Sequence, residues 1–495
     1  MEPHASENGV DIGSGIPLNE YVYNERGIIA ENYHDLQGLG VLEAARQTYP
    51  LPKASAESTL RTVFQCVDIA LLNLADIMAR AVADLDRGSF STATIKMFWA
   101  RGFHRLLTQL SLAPYQLGFT TSPTQHSGTL RIQDSPAFKE YLTNLDRFDQ
   151  LVISLIESNM MNAEQVIGEG SLDSWEYNFF HLARVCNHEA TIWENNIAGI
   201  KIPVPVSSYQ EFVVSSVIRD AVYDRVLKGD TYFTQFRGLH QIPESLGEEV
   251  NDRLEQAIRA IRQDKLKDAV EELRCICVLA QVITSAVAPM ADSLATSDYH
   301  MIRENLGLTS GSHSVCLRFH MFTHLYDQLC DEVVQCAARM KPESADPEET
   351  LREISSGASE TENSWLLHLA GSLCLNFRAL IFQWRDEHVH MPRNNLGGDL
   401  TKSLTGSKDA IKAVKGMRDA ARMRDPFAVL VRSRDIKDES APTSLASYFD
   451  SDISLDSRLM EITGKATQER FVHVQERLGF FANKCPFAPP PRRKA

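Results

Sequence analysis

The stretch Ser364–Met391, which reads SWLLHLAGSLCLNFRALIFQWRDEHVHM, decides the fold class of the chain. Its apolar residues recur with the spacing of an α-helix and without the alternation of a β-strand. Helical spacing of the same kind recurs along most of the chain, for example at residues 59–84, 91–112 and 137–161. The sequence therefore predicts an all-α protein, built as a helical bundle.

Trp384, His388 and Met391 lie at positions i, i+4 and i+7 of this predicted helix, so they should share one face. Arg385 and Asp386 should point away from that face. An imidazole that projects from an apolar helical face into a bundle can supply an axial ligand to a haem iron. The same histidine could instead be a core residue whose ring bonds to a neighbouring carbonyl. The stretch alone leaves both interpretations open.

Size and composition restrict the class of protein. A chain of 495 residues can form two or three domains and bury a large core. Its net charge of −15 argues against nucleic acid and anionic membranes as partners. No uninterrupted apolar run reaches the length of a bilayer span, and residues 1–18 lack the basic start and apolar core of a signal peptide. The cysteines are scattered without a C-x-x-C pair, as is typical of reduced thiols, so we expect a cytoplasmic protein with no membrane span.

Breaks in the helical pattern divide the chain. Residues 1–20 are predicted to be disordered, and Pro203 and Pro205 mark an extended connector because proline does not fit inside a helix. The segment 341–363, rich in Glu, Ser, Asp and Pro, is predicted to be a mobile loop. The pattern predicts three further parts: a helical half at 21–202, a second helical half that carries His388 at 203–424, and a C-terminal extension at 425–495.

The two halves of the chain echo each other. Trp175 and Trp193 are spaced much like Trp365 and Trp384, and both pairs lie in long apolar runs with helical spacing. If the echo is real, the halves are related helical units packed as a pseudo-dimer, and only the second keeps a histidine at the position of His388. Coincidence among similar helices is the alternative.

Two segments of the second half carry further candidate site residues. His240 lies three residues before Pro243, which predicts that it lies at or just ahead of a helix start. Tyr299 and Arg303 are one helical turn apart, so a phenol and a guanidinium could line the same cavity, and arginine can hold a carboxylate through two hydrogen bonds. Taken singly, a capping histidine and a surface ion pair with Glu304 are the alternatives.

Together these segments resemble the tryptophan 2,3-dioxygenase-like superfamily of haem-dependent aromatic oxygenases. Residues Trp384–Met391 match the family's Trp-Arg-x-x-His-x-x-Met motif, which carries the proximal haem ligand, at every fixed position. His240–Glu244 looks like the family's distal His-Gln-x-x-Glu motif, and residues 299–314 resemble a Tyr–Arg pair followed by a Ser-Gly-Phe-Gln-Ser turn. The resemblance covers roughly residues 208–410.

The resemblance implies haem b as the cofactor, held in the second half of the chain with His388 as the axial iron ligand and Trp384 beside it. His240 would be the distal catalytic histidine, and His313, which stands in place of a glutamine of the family's turn, is the second candidate for that role. The implied reaction is the oxidation of tryptophan, or of a related aromatic or indole amino acid, with O₂. The resemblance implies four substrate-binding residues: Tyr299, Arg303, Ser310 and Thr405.

The sequence also departs from the family. Pro392 directly follows the proximal motif and should kink or end its helix, and Pro243 replaces the aromatic residue expected beside the distal histidine. These departures leave haem ligation better supported than ring cleavage of tryptophan. The alternatives are a haem-dependent hydroxylase or peroxidase-type enzyme, a non-catalytic haem-binding sensor or scaffold, and a structural interaction protein without a cofactor. We expect a monomer with an internal pseudo-dimer, or a homodimer.

Overall fold

The structure is a computed structural model, and the residues that it describes are 33–48, 50–118, 128–157, 175–199, 202–204, 208–223, 232–294, 298–299, 302, 319–342, 346–355 and 361–396. Within these residues there are 13 α-helices, and 89% of the residues are helical. The prediction of an all-α helical bundle is therefore confirmed.

The elements follow one another along the chain with only two short strands among the helices. Their bounds are α1 Leu39–Thr48, α2 Ala56–Asp86, α3 Phe90–Gln116, β1 Gly128–Leu130, a 3₁₀ turn Ile132–Asp134, α4 Pro136–Glu157, α5 Trp175–Trp193, a π-helical turn Glu194–Ala198, β2 Ile202–Val204, α6 Tyr209–Val213, α7 Ser215–Tyr223, α8 Phe233–Arg262, α9 Leu266–Ser285, α10 Ala288–Ser293, α11 Phe319–Met340, α12 Pro347–Ser355 and α13 Glu362–Leu396.

Strands β1 and β2 form an antiparallel pair in which Thr129 lies opposite Pro203. Proline has no backbone N–H to donate to a neighbouring strand, but it is tolerated in a two-stranded ribbon, in which both strands are edge strands. The extended connector predicted from Pro203 and Pro205 is confirmed for residues 202–204, which form β2.

The chain divides into two compact units, and each unit is built from segments that are not contiguous in sequence. The predicted boundary at residues 202–203 falls inside the second unit. The four predicted domains and the pseudo-dimer stay predictions. The first unit comprises Met1–Gly40, Gly247–Ala280 and Tyr299–Lys437, and the second comprises Val41–Leu246, Gln281–Asp298 and Asp438–Ala495.

Helix α2 is the centre of the second unit. It begins at the N-cap Ser55, whose hydroxyl accepts a hydrogen bond of 3.1 Å from the backbone N–H of Ser58. Its interior contains no glycine or proline, and residues such as Leu71 and Leu74 are fully buried, so helix propensity and packing agree. It is followed by Gly88 in a left-handed conformation with φ 71°, which glycine adopts without steric strain.

Two sequence predictions about helix bounds are wrong. Helix α8 begins at Phe233 and runs through Pro243, so His240 lies inside a helix and not at its start. The missing N–H of Pro243 removes one helical hydrogen bond, but the residues around it are buried and hold the helix together. Residues Pro347–Ser355, inside the segment predicted as a mobile loop, form α12. Its residues Leu351 and Ile354 are buried, which gives this turn-rich sequence a packed face.

Two segments, Leu266–Met290 and Glu362–Val389, are long and apolar enough to cross a membrane by length and composition. In their most apolar windows, 67% and 44% of the residues are buried. Core helices of soluble proteins pass the same test, so these segments do not decide localisation. The predictions of a cytoplasmic protein and of no membrane span stay predictions.

Candidate functional site

The structure describes half of the predicted site residues. His240 lies on α8 in the second unit, whereas Tyr299, Trp384 and His388 lie in the first. Trp384 and His388 contact each other on α13, and Tyr299 is half-buried. The remaining four lie outside the described residues: Arg303, Ser310, His313 and Thr405.

Trp384 and His388 share a face of α13 that lies beside its most buried stripe. Their rings lie 5.4 Å apart between centroids and within 28° of parallel, as the i, i+4 spacing predicts. Both side chains are half-buried. The Nε1–H of Trp384 is itself buried and has no hydrogen-bond partner within the part of the chain that the structure describes. This pair therefore presents a half-buried imidazole, oriented by an indole with an unsatisfied donor.

The most buried stripe of α13 includes Arg385. Ile381, Arg385 and Val389 follow one another at helical spacing and are 7%, 7% and 4% exposed. Burial lowers the pKa of Arg385 to about 9, so its guanidinium stays charged at neutral pH. We expected the face of Trp384 and His388 to be the bundle face, and the structure assigns that place to Arg385. The four-residue spacing of Arg385 from the apolar Ile381 was the sequence feature that could have predicted its burial.

Pro392 lies four residues after His388, within α13. Because proline has no backbone N–H, it cannot donate the helical hydrogen bond that the carbonyl of His388 would accept. The helix nevertheless continues to Leu396, so the prediction that Pro392 ends it is wrong. A kink, the other predicted effect of this proline, stays a prediction.

Neighbouring helices of the first unit hold α13 through one thiol and an aromatic contact. The Cys277 thiol on α9 donates to the carbonyl of Leu373 at 3.5 Å, and the rings of Tyr326 on α11 and Phe377 lie 6.1 Å apart. Cys374 is fully buried among them. Burial raises the pKa of Cys277 to about 12, so this thiol is protonated and acts as a packing group.

The geometry of His240 fixes which of its nitrogens carries the proton. Its Nδ1 lies 2.8 Å from the carbonyl of Phe236, and a carbonyl can only accept, so Nδ1 is the donor. Nε2 is then an acceptor. Burial lowers the pKa of His240 to about 4, although the bond to the Phe236 carbonyl acts in the opposite direction. The phenyl ring of Phe236 lies 4.3 Å from the imidazole between centroids and limits its rotation. His240 is therefore a neutral imidazole with one assigned tautomer.

The helix turn that carries His240 is held by α2. A Cβ added at Gly238 would lie 2.3 Å from Nδ2 of Asn73, so α2 and α8 approach each other at a distance that only glycine allows. The first half of the chain thus supports the candidate distal histidine. Besides the contact of Gly238 with Asn73, hydrogen bonds join these helices, among them Gln235 Nε2 to Asp76 Oδ2 at 2.7 Å and Cys66 Sγ to the Ile242 carbonyl at 3.8 Å.

Two buried polar side chains next to His240 hold the end of α7. Arg237 Nη2 and Gln241 Nε2 donate to the carbonyl of Ala221 at 2.9 and 3.0 Å. This carbonyl belongs to the last turn of α7, whose carbonyls have no helical donors, so the two side chains cap the helix. Neither residue is among the site residues predicted from the sequence. Their i, i+4 spacing on α8 was the signal that could have indicated a polar face turned inward.

Within the described ranges, no group of three or more His, Cys, Asp or Glu side chains could hold a metal ion. A haem iron held by one histidine needs no such group, because the porphyrin supplies the other ligands. No protein-family model matches the chain, and a search of the curated proteins finds no match either. The interpretation of function therefore depends on the residues and their geometry.

Proposed function

We propose that the chain is a haem-dependent oxygenase that oxidises tryptophan, or a related aromatic or indole amino acid, with O₂. The observation that carries the proposal is the contact between Trp384 and His388 within a Trp-Arg-x-x-His-x-x-Met sequence on α13. His388 would be the axial ligand of haem b. When bound, haem supplies the activation of O₂ at iron, which amino-acid side chains do not provide.

The residues around His388 fit this group. The imidazole is half-buried, and neutral imidazole is a common axial ligand of haem. The buried Nε1–H of Trp384 lacks an acceptor among the described residues, and an unsatisfied buried donor costs about 1–3 kcal/mol. An acceptor brought by a bound group would remove that cost. Arg385 adds a buried positive charge on the neighbouring stripe, which favours a cofactor with carboxylates.

His240 is the distal histidine of the proposal, an assignment that comes from the family resemblance. A distal histidine could accept a hydrogen bond from a substrate N–H or donate one to an oxygen, and the tautomer of His240 supports the first role. With Nδ1–H donated to Phe236, Nε2 can accept a hydrogen bond from a substrate N–H, such as that of an indole. In this state Nε2 has no proton to donate to an oxygen. We infer that His240 binds and orients the substrate ring.

The substrate's amino-acid group remains assigned to the residues that the resemblance implies. Arg303 would hold the carboxylate through two hydrogen bonds, with Tyr299 and Ser310 beside it. Thr405 would contact the amino-acid end of the substrate. His313 stays the second candidate for the distal role.

The proposal predicts that the purified protein, made in haem-replete cells, shows a Soret band and that His388→Ala loses it. The variant removes the only side chain that we assign as an iron ligand. His368→Ala is the matched control, because His368 lies on the same helix and stacks on Trp365 at 5.6 Å. It should keep the band. A wild-type protein that is colourless and takes up no haem on reconstitution would overturn the proposal, as would an unchanged Soret band in His388→Ala.

The tautomer of His240 predicts a preference for an indole that keeps its N–H. Wild type should bind tryptophan about fivefold more tightly than 1-methyltryptophan, since one neutral hydrogen bond contributes about 1 kcal/mol. His240→Ala should bind both equally. The preference should persist from about pH 5.5 to pH 8, because the pKa of His240 is lowered to about 4 and the ring stays neutral. Titration of the Soret band with each ligand measures both constants. An equal preference in wild type and variant would remove His240 from the substrate site.

A further inference from the structure

A buried carboxyl joins three elements of the second unit. Asp68 on α2 is 1% exposed, and its Oδ1 accepts hydrogen bonds from the hydroxyls of Ser135 at 2.7 Å and Tyr209 at 2.9 Å. Its Oδ2 accepts from the hydroxyl of Ser215 at 2.8 Å. Ser135 precedes α4, Tyr209 opens α6 and Ser215 opens α7. We call these four residues the Asp68 clasp.

The clasp holds a strained turn. Val214, between α6 and α7, has φ 60° and ψ 46°, a left-handed conformation that a β-branched residue rarely adopts. Such a residue costs about 1–3 kcal/mol and persists only where its surroundings hold it. Tyr209 and Ser215 flank the turn, and Gln65 Nε2 donates to the carbonyl of Val213 at 3.2 Å. Three contacts from α2 therefore keep α6 and α7 in this arrangement.

No charged partner accompanies Asp68 in the described residues. Burial raises its pKa and the three hydroxyl bonds lower it, so that it lies at about 6, above the usual 3.8. The charges on the surrounding elements are used elsewhere: Arg131 pairs with Asp134, Arg219 pairs with Glu140, Arg61 lies over the ring of Phe212 and Glu211 is exposed. The described residues therefore supply no fixed cation that would hold the charge of this carboxyl in the folded state.

We propose that the α6–α7 turn is a pH-sensitive hinge, closed most firmly when the carboxyl of the Asp68 clasp is protonated and opened more readily when it is ionised. Ionisation leaves a charge buried without a counter-charge, and opening the turn returns that charge to water. The closed form therefore binds the proton more tightly than the open form. By linkage, the closed form is fully favoured below about pH 3.8 and loses this advantage as the pH rises through about 6.

The hinge has a direct connection to the His240 turn. Helix α7 presents the carbonyl of Ala221 to Arg237 and Gln241, and Gln241 is the residue next to His240. Opening of α7 would release these two hydrogen bonds. This consequence for substrate binding rests on the proposed function, whereas the opening of the hinge does not.

Hydrogen exchange on the full chain tests the hinge. Protection factors of amides in residues 209–223, corrected for the intrinsic pH dependence of exchange, should fall about tenfold between pH 5 and pH 7.5. Each unit of difference between the pKa of Asp68 in the closed and the open form corresponds to a factor of ten, and about one unit takes effect within this interval. Asp68→Asn should abolish this dependence. Asp134→Asn, the same change next to the clasp but outside it, should keep it. A pH-independent wild type, or an equal slope in Asp68→Asn, would overturn the hinge.

A second variant keeps the test decisive if Asp68→Asn does not fold. Tyr209→Phe removes one donor to the carboxylate, so it should move the midpoint of the exchange transition to higher pH. An unchanged midpoint in this variant would also overturn the hinge. Neither measurement requires haem, so a protein without a Soret band could still pass both, and a haem protein could fail both.

Discussion

Replacing Lys96 with methionine should lower the free energy of unfolding by about 3–5 kcal/mol, the usual effect of removing one partner of a buried ion pair. The ammonium of Lys96 contacts the carboxylate of Asp84, and the two side chains are 5% and 6% exposed. After the change, Asp84 keeps Arg87, at 2.5 Å, as its one cationic partner among the described residues, and that side chain is 71% exposed. Methionine retains most of the volume and the apolar stem of lysine, so the lost free energy of unfolding reflects the missing charge and not lost packing.

Urea denaturation measures this effect, and the chain offers a matched control. Lys341→Met breaks an ion pair with Glu353 in which both side chains are more than a third exposed, so it should change stability by less than about 1 kcal/mol. The double variant Lys96→Met with Asp84→Asn should recover much of the loss, because it leaves no charge buried. A loss at Lys96 no larger than that at Lys341 would contradict the interpretation.

The same pair predicts a dependence on pH. Burial raises the pKa of Asp84, but the hydrogen bond and the charge of Lys96 outweigh it and hold the pKa below 3.8. A carboxyl whose folded pKa is lowered stabilises the protein above its unfolded pKa and loses that contribution as the pH falls. The stability difference between wild type and Lys96→Met should therefore be full at neutral pH and shrink as the pH falls, because protonation of Asp84 removes the attraction in wild type and the unpaired charge in the variant.

Gly102→Ala should destabilise the second unit by about 1–3 kcal/mol, although alanine is the better helix former. A Cβ at this position of α3 would lie 2.6 Å from Cβ and 2.8 Å from Cα of Pro289 on α10. The Cα belongs to the backbone, so no change of rotamer relieves the contact. Either α10 must shift or the two helices must separate.

A double-mutant cycle with Pro289→Gly tests this contact by urea denaturation. Glycine at 289 removes the Cβ at 2.6 Å and the Cγ at 3.2 Å but leaves the Cα, so the double variant should recover part of the loss. The coupling should exceed about 0.5 kcal/mol in the favourable direction. Strict additivity of the two single changes would show that the helices do not meet at Gly102.

The sequence was sufficient for the features that depend on local periodicity. The apolar spacing predicted helices, and i, i+4 spacing placed Trp384 beside His388, because both rules follow from 3.6 residues per turn. It was not sufficient to say which stripe of α13 would be buried. Arg385 reads as a solvent-facing residue by type, and only packing within the first unit makes it a buried one.

The helix start that the sequence misplaced at Pro243 depends on contacts distant in the chain. Pro243 indicated a helix start because proline in a helix interior costs about 3 kcal/mol. The contacts that offset this cost come from α2, roughly 170 residues earlier, and no local pattern contains them. Val214 is a similar case. A β-branched residue favours extended backbone, and its left-handed conformation follows from the clasp on a distant helix. The tautomer of His240 could be assigned only from the hydrogen bond between its Nδ1 and the Phe236 carbonyl.

The interleaving of the two compact units has a consequence for how the chain folds as it leaves the ribosome. Helix α9 is complete about 110 residues before the end of α13, against which its Cys277 packs. At about 5–20 residues per second, roughly 6–22 seconds of synthesis separate them. Through that interval the nascent chain carries a finished apolar helix whose partner α13 does not yet exist. Chaperone binding during translation should therefore concentrate on α9, and synonymous changes that slow translation between residues 286 and 396 should lower the yield of soluble protein.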